Sequence, residues 1–80
     1  MRVRVYVTLK REVLDPQGEA VRRALGSMGI DGLKDVRIGK MIELELDGDA
    51  EAVRGKIENA AKSLLANPVM EDFKIELLTE

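Results

Sequence analysis

The sequence contains no cysteine and no histidine. Without cysteine no disulfide can brace the chain. With both residue types missing there are no side chains suited to a structural zinc site. The same absences remove the commonest acid–base group and the best nucleophile from any catalytic scheme. No apolar run approaches the ~20 residues that a membrane-spanning helix needs. The opening residues, MRVRVYVTLK, alternate polar and apolar side chains and lack the apolar centre of a signal peptide. No sign of charge dominates: 13 Lys and Arg against 15 Asp and Glu leave a formal net charge of −2. That balance gives no basic footprint for nucleic acid. These absences are compatible with the cytoplasm, and no membrane or nucleic-acid partner is expected.

What remains is a chain of 80 residues, read as one domain over 1–80. A domain of this size buries only roughly 60–65% of the surface its unfolded chain exposes. Its core supplies on the order of 3–5 kcal/mol. Self-association or a partner subunit is the remaining common source of stability.

Residues 2–10 alternate well: Val3, Val5, Val7 and Leu9 point one way, and Arg2, Arg4, Tyr6 and Thr8 the other. This predicts a half-buried strand. In LDPQGEAVRRALGSMGID, Asp15 is the expected N-cap and Pro16 suits the first helical position. Ala20, Val21, Ala24, Leu25 and Met28 recur at helical spacing, and Gly29 ends the run. A second helix is predicted from the Asp49 cap, with Val53, Ile57, Ala60, Ala61 and Leu64 as its apolar stripe. Glu58 and Lys62 form an expected (i, i+4) pair, and Asn67 and Pro68 stop the helix. A last strand runs from about Asp72 to Leu78, with Phe73, Ile75 and Leu77 inward.

The middle stretch KDVRIGKMIELELDGD is less ordinary. Val36, Ile38, Ile42, Leu44 and Leu46 share one face, and the phase does not slip at Gly39. A two-residue Gly-Lys hairpin would put Glu43 and Glu45 on the apolar face, so the alternation argues for one long strand that Gly39 allows to bend. A three-residue loop over Gly39 to Met41 also preserves the faces and is the lesser reading. Lys40 is the one polar residue on the apolar phase. The fold class is therefore α+β: a two-layer sandwich, β-α-β-α-β, with two helices on one face of a mainly antiparallel sheet. If the first two strands are neighbours, Arg2 and Arg4 can pair with Glu43 and Glu45 on the other face.

Little here supports chemistry. No hydroxyl residue sits in a nucleophile motif. Glu43 and Glu45 read as a solvated or salt-bridged face, with no oxygen-ligand loop beside them. IGKM lacks the first glycine and the hydroxyl residue of a phosphate-binding loop. Two features stay unexplained: Gly18 weakens the first helical turn, and Gly39 thins a strand.

Two segments together, VYVTLKREVLDPQG (5–18) and DVRIGKMIELEL (35–46), resemble the PurS family. PurS is the small subunit of the multi-subunit phosphoribosylformylglycinamidine synthase of bacteria and archaea. The resemblance spans essentially the whole chain. It implies a subunit with no catalytic site and no cofactor of its own. Such a subunit dimerises and joins the synthetase PurL to the glutaminase PurQ, in an enzyme that uses ATP, Mg and glutamine-derived ammonia in purine biosynthesis. Placed on this chain, the motif residues Leu14, Asp15, Pro16, Gln17, Gly18, Asp35, Arg37, Gly39 and Lys40 are the expected partner contacts. The alternative is a regulatory α+β domain that senses a small molecule.

Overall fold

A computed structural model describes residues 1–78. Its elements are strand β1 (Arg2–Leu9), helix α1 (Pro16–Ser27), strand β2 (Gly39–Glu45), helix α2 (Ala50–Ala60) and strand β3 (Glu71–Leu78). The sheet order is β2-β1-β3, and both pairings are antiparallel. The expected α+β order and antiparallel sheet are found.

Strand β1 is central because its branched residues alternate without a break. Val3, Val5 and Val7 are 0–1% exposed and form the floor of the core. Ile57, Ala61 and Ala66 cover them from the α2 side, with Ile42, Leu44, Val53, Phe73, Ile75 and Leu77 packed around. The opposite sheet face carries the expected charge pairing. Arg4 lies 3.5 Å from Glu43 and 3.9 Å from Glu76, and Arg2 lies 3.8 Å from Glu43. Tyr6 donates to Glu76 at 3.2 Å.

Five particulars differ from expectation. The middle strand is short: it begins at Gly39, and Val36 and Ile38 are outside it. The pairing of β1 with β2 stops at Thr8 with Gly39; Leu9, the last residue of β1, pairs only with Glu71 of β3, and the Ile38 amide is taken by Asp15 Oδ2 instead. There is likewise no loop at Gly39 to Met41; these residues open β2.

Helix α1 does not cover the sheet. Val21 is 37% and Met28 77% exposed, and Gly18 is its only buried residue among those described. The inner sheet face is already taken by α2, and α1 stands apart from it. The shape records this: the radius of gyration is 15.9 Å, against about 12 Å for a compact chain of 80 residues.

The stripe of α2 slips at its end. Residues Ala61–Leu65 form a π turn, in which Ala66 N donates to Ala61 O at 2.9 Å. The extra residue carries Leu64 to solvent and brings Ala66 to the core in its place. Glu58 lies 4.0 Å from Arg54 rather than pairing with Lys62.

Candidate functional site

The two motifs meet. Asp15 caps α1, as its β-like backbone and short side chain suit it to do. Its Oδ1 accepts Gly18 N at 2.8 Å, and its Oδ2 accepts Ile38 N at 2.8 Å. One carboxylate thus joins the first turn of α1 to the residue before β2. Asp15 is only 5% exposed. The Ile38 amide, then the Gly18 amide, with a contribution from the Arg37 charge, hold its pKa below the ordinary carboxylate value.

Arg37 adds a second tie. Its Nη2 donates to Lys10 O at 2.8 Å and to Val13 O at 2.9 Å, which fixes the loop between β1 and α1. Both unexplained glycines have a place in this clasp. A Cβ on Gly18 would run into the Val36 carbonyl. A Cβ on Gly39 would lie 2.6 Å from Val7 O and 2.8 Å from Thr8 Cγ2. Each glycine therefore admits a close approach from within the same chain.

Lys40 stands opposite Val7, on the core-facing side of the sheet, yet it is exposed. It lines a cavity of ≈ 270 Å³ with Leu9, Asp15, Gln17, Gly39 and Glu71. Pro16 and Gln17 are exposed at the head of α1, and Leu14 is 78% exposed beside them. The nine expected residues thus divide. Asp15, Gly18, Arg37 and Gly39 build the clasp; Leu14, Pro16, Gln17 and Lys40 form its open rim; Asp35 is exposed and outside the cavity wall. Sequence reasoning missed the Ile38 amide, the Val36 carbonyl and Glu71. A main-chain group leaves no side-chain signal, and Glu71 reads as a strand-end charge.

Among the described residues, no three of His, Cys, Asp or Glu come together in a way that could hold a metal ion. No helix among them is long and apolar enough to cross a membrane. The polar groups of the cavity are an ammonium, an amide and carboxylates, which can receive a charged or hydrogen-bonding group.

The arrangement is that of a small α+β chain in which two motifs fasten a helix head to the start of an edge strand. The family model PurS, Phosphoribosylformylglycinamidine (FGAM) synthase, matches residues 2–79, and the chain belongs to that family. A PurS chain is a subunit of FGAM synthase, in purine biosynthesis. The PurS subunit of Bacillus subtilis is 45% identical over 76 residues, covering 95% of this chain and 90% of that protein. A crystal structure of B. subtilis PurS superposes with a TM-score of 0.81, at 45% identity, covering 94% of each chain. A chain in the structure of PurLQS from Thermotoga maritima is 31% identical with a TM-score of 0.84, covering 96% of this chain and 95% of that one.

Proposed function

We propose that this chain, acting as one domain, is a non-catalytic assembly subunit that joins a PurL-type synthetase to a PurQ-type glutaminase. The observation that carries the reading is its likeness to a chain of the T. maritima PurLQS structure, over 96% of its length. In this reading ATP, Mg and glutamine are handled by the other subunits, none is bound here, and the assembly works in the cytoplasm. Ammonia released by the glutaminase must reach the synthetase without loss. A clamp that holds the two together and closes the path between them serves that need.

The rim residues Leu14, Pro16, Gln17 and Lys40, together with the exposed Asp35, would touch partners, and Asp15, Gly18, Arg37 and Gly39 would set their shape. Their exposure and burial support this division. Self-association is supported by α1: a free 12-residue helix is marginal in water, and most of its apolar stripe is left exposed, Val21 at 37% and Met28 at 77%. The effector-sensing alternative draws little from the cavity at the clasp, where the family motifs meet, which at ≈ 270 Å³ lies below the ~300–1,000 Å³ of ordinary ligand pockets.

Reconstitution tests the reading. Synthetase and glutaminase are assayed with and without this chain, using glutamine or ammonium as nitrogen source. Glutamine-dependent turnover should need the chain, while ammonium-dependent turnover should need it less. Equal glutamine-dependent rates in its absence would remove the assembly role.

A further inference from the structure

Strand β1 runs out into a turn that is tied down on several sides. Val13 N donates to Lys10 O at 2.9 Å and closes the turn, and Lys10 N donates to Met70 O at 2.8 Å. Arg37 Nη2 donates to Lys10 O and Val13 O from outside. Arg11 stands exposed at the tip of this turn, with no hydrogen bond or ion pair among the described residues.

Beside the turn lies a second cavity, of ≈ 240 Å³, walled by Thr8, Leu9, Arg11, Arg37 and Asp72. Arg37 is held in place through Nη2 alone, so the N–H groups on its Nε and Nη1 keep no partner among the described residues. The one carboxylate on the wall, Asp72, is matched by Lys10 Nζ at 2.6 Å. That pair leaves both wall guanidiniums uncompensated. Glu12, the other carboxylate of the turn, acts on Lys10 and is not on the wall. Counted together, Lys10, Arg11 and Arg37 outnumber Glu12 and Asp72, so the cavity is cationic.

We propose that this cavity binds a phosphate group, received by Arg11, by the unoccupied N–H groups of Arg37 and by the Thr8 hydroxyl. The guanidinium fork matches phosphate oxygens, and the contact is charge-assisted. A phosphate presents oxygens in more directions than a planar carboxylate, and the donors come from a turn, a strand and the residue two before β2. The cavity is smaller than the ~300–1,000 Å³ that encloses a drug-sized molecule, so it takes inorganic phosphate or the terminal phosphate of a nucleotide. Because the turn is already fixed, little ordering is needed on binding. The proposal concerns the chain alone and does not depend on the assembly reading.

The test follows the amide resonances of the full chain during titration with inorganic phosphate, ADP or acetate, at ionic strength held constant with sodium chloride. Phosphate should shift the amides of Thr8 to Val13 and of Arg37 and reach saturation. Arg11→Gln should weaken this binding at least about tenfold, as loss of a charge-assisted contact does, and Arg11→Lys should recover part of it. Thr8→Val keeps the side-chain shape and should weaken it about threefold. Neither Arg11→Gln nor Thr8→Val should change the circular dichroism or melting temperature of the unliganded chain. ADP that shifts the same amides and competes with phosphate supports the proposal with a nucleotide as source; binding of phosphate without ADP supports it with the free ion. Shifts that never saturate overturn it. So does acetate that binds as well as phosphate, or Arg11→Gln that binds within twofold of wild type.

Discussion

Asp15 Oδ2 accepts the backbone N–H of Ile38 at 2.8 Å, across 23 residues of chain. This bond lies just outside the sheet, where the pairing of β1 with β2 has stopped at Thr8 with Gly39. The carboxylate takes the place of the ladder there and caps α1 with its other oxygen. Asp15→Asn keeps the shape but replaces one acceptor oxygen by a donor that faces an N–H. Loss of a cap and of that acceptor should lower the melting temperature by roughly 4–8 °C, or more. The difference should depend on pH. The folded pKa of Asp15 lies below its unfolded value, so the stability it contributes is present in full above about pH 4–5 and is lost as pH falls through the folded value. Melting curves of wild type and variant should therefore stay apart at neutral pH and converge in acid. Curves that keep a constant separation down to pH 2 would rule out the charge as the cause.

Glycines at four places in the chain give opposite forecasts. Gly39→Val gains strand preference, but its side chain meets the Val7 carbonyl at 2.6 Å and Thr8 Cγ2 at 2.8 Å. Backbone on a central strand cannot retreat, so the substitution should cost about 1–3 kcal/mol. Gly18→Ala should be worse placed still, against the Val36 carbonyl. Gly55 and Gly26 lie in helices with nothing within 4 Å of an added Cβ. Gly55→Ala should stabilise by about 0.5–1 kcal/mol. Chemical denaturation of the variants at equal chain concentration checks the order.

These glycines show where sequence reading stopped. The alternation of β1 and the caps Asp15 and Asp49 were legible, because side-chain pattern sets them directly. The pairing of Arg4 with Glu43 followed once the strands were neighbours. Gly39 was legible as an anomaly, but its cause is the Val7 carbonyl, and backbone contacts carry no residue code. The length of β2 was overread for a related reason: Val36 and Ile38 keep the phase, yet the Ile38 amide is bonded to the Asp15 carboxylate and the ladder with β1 starts only at Gly39. The π turn was invisible because Leu64 and Leu65 are equally apolar; only the packing of Ala66 decides which one faces out.

The α1 stripe yields a forecast about mass. Met28 is 77% exposed and Val21 37% in the single chain. If a second copy covers this stripe, a charge there should prevent association without disturbing the sheet, since neither side chain belongs to the core. Light scattering should find the wild type dimeric or larger, and Met28→Lys or Val21→Lys smaller, with β-sheet circular dichroism retained. A monomeric wild type at high micromolar concentration would remove the stripe as a self-association surface.

Lys40 separates charge from shape at the rim of the clasp. It is exposed, makes no ion pair among the described residues and stands over the cavity shared with Gln17 and Glu71. Lys40→Ala should leave stability within about 0.5 kcal/mol of wild type, as removal of an exposed charge does. If its ammonium meets a partner's carboxylate, the variant should bind synthetase or glutaminase more weakly, and the gap to wild type should narrow as salt rises and screens the wild-type contact. The opposite result is equally informative. A gap that is unchanged between low and high salt would assign the loss to the shape of the rim rather than to its charge. No gap at any salt would take Lys40 out of the interface and leave contact at this end to Leu14, Pro16 and Gln17.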